Sequence, residues 1–91
     1  MLRITGTIKS QSVDVTTAAT QIPSSNLGSR RGCLLYNAGA ENVELGGSGV
    51  TFGEGVPLKP GQYLPLVISD NAKIYGIAQN GTVDVRVLEA Y

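Results

Sequence analysis

The apolar positions of this chain follow a two-residue period at short, regular intervals. Val13-Asp14-Val15-Thr16-Thr17, Asn42-Val43-Glu44-Leu45 and, most cleanly, Val83-Asp84-Val85-Arg86-Val87 alternate apolar with polar residues, so each is expected to be a strand with one buried face. Cys33 to Tyr36 and Leu64 to Ile68 are instead continuous apolar runs, expected of central strands covered on both sides by a facing sheet or a neighbouring subunit. Lys73 to Ala78 reads as a further strand, with Gly76 marking a bulge or a close approach of backbone. Leu2, Ile4 and Ile8 alternate weakly, so residues 1–12 are expected to form an N-terminal arm or an edge strand.

Turn residues punctuate these runs at Pro23-Ser24-Ser25-Asn26, Asn37-Ala38-Gly39, the glycines between 46 and 55, Lys59-Pro60-Gly61, Ser69-Asp70-Asn71 and Asn80-Gly81. Asn80-Gly81 lies between two apolar runs, and both residue types tolerate the positive φ of a type I′ turn. It predicts a hairpin pairing 73–78 with 82–88. No stretch has the apolar period of a helix. The expected fold is all-β: a β-sandwich or jelly-roll-like barrel of about seven short antiparallel strands, its single domain spanning 13–91.

Length and charge narrow the function. A chain of 91 residues buries only about 60–65% of its unfolded surface, which leaves little room for an enclosed active site. Seven basic and seven acidic residues cancel without clustering beyond Arg30-Arg31, so neither nucleic acid nor an anionic membrane is an expected partner. Charged residues are only 15% of the chain, and Ser, Thr, Asn, Gln and Gly carry the remaining polarity, a surface suited to uncharged contact with another protein. The first residues lack the apolar core of a signal peptide and no stretch is long enough to span a membrane, so a soluble protein is expected.

Chemistry is sparse. With one cysteine and no histidine, a zinc site is poorly served, and Cys33 lacks the base that would activate it, so a buried core thiol is expected. The carboxylates Asp14, Glu41, Glu44, Glu54, Asp70, Asp84 and Glu89 are scattered, and Asp14 and Asp84 alternate with valines as on a solvated strand face. No enzyme and no cofactor are expected. Asn80-Gly81-Thr82 fits a glycosylation sequon, but a turn explains the same residues.

Five glycines in Leu45 to Gly55 raise the possibility of a ligand loop. Gly46-Gly47-Ser48-Gly49-Val50 opens like a calcium-binding nonapeptide, yet Thr51 stands where the liganding aspartate is required and the unit occurs once. Gly47, Gly49 and Gly53 are spaced one residue too long for a dinucleotide loop, and no helix can follow through Pro57. A turn-rich connection is therefore expected.

From Thr17 onward, "TQIP", "RRGCLLYNAGAENVELGGSGVT", "GVPLKPGQYLPL" and "DNAKIYGIAQNGTVDVRVLE" resemble short β-rich structural proteins of tailed bacteriophages, of the head-decoration or head-fibre type. The shared elements fall on Thr20 to Pro23, Leu34 to Asn37, Val43 to Thr51, Pro57 to Gly61 and Ile74 to Val87, over about four-fifths of the chain; residues 1–16 match no such pattern. The resemblance implies a non-enzymatic virion protein that decorates and stabilises an assembled capsid, with the major capsid protein as partner, and that is assembled in the bacterial cytoplasm. A homotrimer is expected from capsid symmetry and from the under-covered apolar runs. Leu2, Arg3 and Ile4, with Arg30 and Arg31, are the expected contacts to the shell. The alternative is a peripheral module, of a fibre or tail, that recognises a host carbohydrate or surface protein; exposure of Tyr63 and Tyr91 beside polar side chains would favour it.

Overall fold

The computed structural model describes residues 4–91. Among them are eight strands and no helix: β1 (Ile8–Val15), β2 (Thr20–Ile22), β3 (Gly32–Asn37), β4 (Val43–Gly46), β5 (Val56–Leu58), β6 (Tyr63–Val67), β7 (Ile74–Ala78) and β8 (Val83–Ala90). They form two antiparallel four-stranded sheets, ordered β1-β8-β3-β6 and β2-β7-β4-β5. β2 and β5 are only three residues long, too short for a two-residue period to mark them, while the end of the N-terminal segment and the strand expected from Val13 are one strand, β1. β1 runs through residue 12 without a break and lies at the edge of its sheet, paired only with β8.

The two sheets share one core. Val13, Val15, Cys33, Leu35, Val83, Val85 and Val87 from the first sheet meet Ile22, Val43, Leu45, Leu58, Ile74 and Ala78 from the second. Strand period dictates this assignment, since on β8 the valines at 83, 85 and 87 point inward while Asp84, Arg86 and Leu88 point out. Gly76 sits on the inner side, where a Cβ would come within 2.5 Å of Ile22 Cδ1 and 3.1 Å of Val43 Cγ1, so the expected close approach is a packing requirement.

The chain passes from one sheet to the other at every connection except one. β4 and β5 are consecutive and paired, and the glycine stretch closes that hairpin. The expected hairpin at Asn80-Gly81 is not formed. β7 pairs with β2 and β4, whereas β8 pairs with β1 and β3, so residues 79–82 cross between sheets. Of the two turn residues only Gly81 has positive φ, at 63°, whereas a type I′ turn needs two. Both strands have their two edges taken by other partners, and tertiary pairing overrides the local turn signal.

The apolar run at Leu64 to Ile68 is also placed differently from expectation. β6 is an edge strand, with Tyr63, Pro65 and Val67 exposed and Leu64 and Leu66 half-buried. β3 is central between β8 and β6, as its run implied, but only its inner side is covered by the facing sheet.

Candidate binding face

The outer side of the β1-β8-β3-β6 sheet gathers most of the exposed apolar bulk of the described residues. Ile8, Tyr63, Val67 and Leu88 stand on it, Ile4 lines its margin, and only Val56 of the large exposed hydrophobics lies on the other sheet. The register sets the arrangement in rows across the strands. One row reads Pro65, Leu34, Leu88, Ser10; the next reads Tyr63, Tyr36, Arg86, Ser12. Leu34, Tyr36 and Leu88 were part of apolar or alternating runs, and strand parity turns them away from the core.

Two depressions meet at Leu34 and Leu88. The first, of about 460 Å³, is lined by Ile4, Gly32, Leu34, Pro65, Val67 and Leu88, and is almost wholly apolar. The second, of about 430 Å³, is bordered by Ser10, Ser12, Leu34, Tyr36, Tyr63, Arg86 and Leu88. In the second, the Tyr36 and Tyr63 rings lie 4.5 Å apart, tilted by 32°. Arg86 is held beside them by Asp84, with Nε donating to both carboxylate oxygens at 3.1 and 3.0 Å and Nη2 2.9 Å from Oδ2. Ser12 Oγ donates to Asp84 Oδ1 at 2.8 Å. The Arg86 hydrogen bond, followed by that from Ser12, holds the Asp84 carboxyl below its ordinary pKa.

The residues expected to meet a partner separate. Leu2 and Arg3 lie outside the described residues. Ile4 is exposed at the margin of the apolar depression. Arg31 is exposed, its amide bonded to Ala90 O at 2.9 Å, and its side chain open to a partner. Arg30 is turned inward: its Nη1 lies 2.9 Å from Glu89 Oε2, Nε donates to Ser69 O at 3.0 Å and Nη2 to Ala72 O at 2.6 Å. With both side chains fully buried, the Arg30 guanidinium is a tie between β8 and the 69–72 loop, not a surface anchor.

That tie was legible in one detail. In the register set by Val83, Val85 and Val87, residue 89 falls on the core face, and a glutamate there requires an internal cation. Glu89 Oε2 also accepts the Leu27 amide at 2.9 Å, while Oε1 has no hydrogen-bond partner among the described residues. Cys33 pairs with Glu89 across the strands and is buried. Burial, the largest influence, raises its thiol pKa; Arg30 opposes this and Glu89 adds to it. The neutral thiol is therefore favoured, as its apolar surroundings imply.

The glycine stretch binds its own chain. Glu44 Oε1 accepts the amides of Gly53 at 2.7 Å and Gly55 at 3.0 Å, filling with an internal carboxylate the place that an anion would take in a ligand loop. Gly53 has φ of 102°, a conformation that favours glycine. Asn37, expected as a turn former, is wholly buried. Its Nδ2 donates to Glu41 O and to Leu58 O, and its Oδ1 accepts the Gly39 amide, fastening the end of β3 to the opposite sheet. Asp14 and Asp84 pair across β1 and β8 on the outer face, where Asp84 is held by Arg86 and Ser12.

No protein-family model, curated protein or solved structure matches this chain.

Proposed function

We propose that this protein is a non-enzymatic structural component of a tailed-phage virion, a β-sandwich that decorates an assembled capsid and stabilises it through protein contacts. The observation that carries the reading is the uncovered apolar half of the first sheet, formed by Ile4, Ile8, Leu34, Pro65, Val67 and Leu88. Ile4, Ile8, Val67 and Leu88 are 48, 56, 85 and 39% exposed, and an exposed apolar patch of this kind is a common mark of an interaction site.

The apolar half carries no charged side chain among the residues that line it, so like faces can approach without repulsion. Three copies that turn this half towards a common axis would bury it. Arg31, exposed and outside that half, is then left to meet the capsid protein. Binding only the assembled shell stabilises it by mass action, and the term grows with occupancy.

Light scattering of the full chain over a range of concentrations tests the assembly. A trimer is expected, and Val67→Asp, at a position 85% exposed and outside the core, is expected to reduce the mass to that of a monomer. A wild-type chain that is monomeric at every concentration would remove the self-association from the proposal. The virion assignment has its own test, immunogold labelling of particles from the source culture with antibody to the purified chain; unlabelled particles would overturn it.

A further inference from the structure

The polar end of the same face has a chemistry that shell contact does not require. Tyr63 is on an edge strand with 63% of its surface exposed, yet its ring is fixed by the neighbouring Tyr36 ring 4.5 Å away. An aromatic plane kept both open and oriented is a platform for a ligand with a flat apolar side. Beside it, in the same row, the guanidinium of Arg86 is locked against Asp84, and Ser12 holds the other side of that carboxylate. Nη1 of Arg86 has no partner among the described residues. The site thus offers fixed donors and fixed acceptors side by side in a pair whose two charges cancel, with the exposed Asp14 carboxylate opposite Asp84 across β1 and β8.

The pairing of these charges selects the ligand. An anion drawn to Arg86 meets Asp84 and Asp14, and a cation drawn to the carboxylates meets Arg86. A neutral polyol suits both, because each hydroxyl can donate to the carboxylate and accept from the guanidinium. Among polyols, a pyranose also presents a face of C–H groups that stacks on tyrosine. Ser10 and Ser12 on β1 add hydroxyls along the far wall, and Leu34 and Leu88 form the floor. The row from Tyr63 to Ser12 crosses four strands, roughly 14 Å, the reach of a di- or trisaccharide.

We infer that the groove between Tyr63 and Ser12 binds a neutral saccharide, with Tyr63 on Tyr36 as the stacking platform and the Arg86–Asp84 pair as the hydroxyl-reading group. This goes beyond shell decoration, and gives the particle surface an attachment site for cell-surface glycan. It does not depend on that reading, since a groove on any exposed β-domain would bind the same sugar.

The test is a glycan array carrying bacterial surface saccharides, probed with the full chain and followed by NMR titration with the best-bound saccharide. Binding to a small set of neutral glycans is expected, with shifts confined to residues lining the groove. Tyr63→Ala should weaken binding at least tenfold and Arg86→Ala should weaken it too, while Tyr63→Phe retains the stacking and most of the affinity. Oligomeric mass, read in parallel, should remain that of the wild type in Arg86→Ala. Absence of any saccharide binding at millimolar concentration overturns the inference, as does binding undiminished in Tyr63→Ala. If instead no sugar binds and Tyr63→Ala changes the oligomeric mass, the tyrosines belong to a protein interface, and the assembly proposal stands while this one fails.

Discussion

β8 carries two ion pairs that differ in almost every physical respect. Arg30 and Glu89 meet at 2.9 Å with both side chains shut away from solvent; Arg86 and Asp84 meet at the same distance with side chains 60% and 33% exposed. Parity alone separates them, since Glu89 shares the inward face with the valines and Asp84 and Arg86 share the outward one. The buried pair has lost its water and depends on every remaining bond, including those to Leu27, Ser69 and Ala72. The exposed pair keeps its water and contributes little to stability. Charges on the same strand can therefore hold a fold together or remain at the disposal of a ligand, according to which side of the sheet they face.

Breaking the buried pair is expected to have the largest effect. Arg30→Met leaves Glu89 without its cation in the core and should cost about 3–5 kcal/mol in chemical denaturation. Adding Glu89→Leu in the same chain should recover most of that loss, because two apolar side chains do not require each other. A single variant that loses less than about 1 kcal/mol would show that water reaches the pair. Asn37 sharpens the contrast as a buried neutral group whose three hydrogen bonds are all made. Asn37→Ala should cost about 1–3 kcal/mol, chiefly from the carbonyls of Glu41 and Leu58 left without a donor.

A third expectation concerns Cys33, which sits across from Glu89. Its thiol pKa is raised by burial, so the folded state holds the proton more tightly than the unfolded chain. The associated stability is complete below the ordinary thiol value of 9.0 and declines as pH rises through the higher folded value. Native protein at pH 8 should therefore resist iodoacetamide and react at the rate of a free thiol only after unfolding. Rapid labelling of the native chain would contradict the buried placement.

Much of the fold was legible because alternation is a local signal. The valines of β8 and β1 named their own faces, and turn residues marked most strand ends. Pairing was not legible. Asn80-Gly81 looked like a hairpin because the turn is local, but the partners of β7 and β8 are set by distant strands. The outer face stayed hidden for a related reason: Leu34 and Tyr36 read as core in an apolar run, and only the absence of a covering layer over β3 exposes them. The Arg30–Glu89 tie was half visible, since parity puts a glutamate in the core while nothing local singles out which cation answers it.

The smallest effect belongs to the exposed pair, and it tests whether Asp84 is held as the site requires. Its pKa is lowered first by the Arg86 hydrogen bond and then by Ser12. The sign follows from the folded state favouring the charged form: any stability this contributes is present above 3.8 and is lost as pH falls through the lower folded value. Because the group is open to solvent, the denaturation midpoint at pH 7 should not move measurably in Arg86→Ala. The Asp84 titration followed by NMR should move upward in that variant, and by less in Ser12→Ala. If Ser12→Ala moved it further than Arg86→Ala, serine rather than arginine would be the group that fixes the carboxylate. The donor–acceptor pair would then lose the rigidity on which the proposed reading of hydroxyl groups rests.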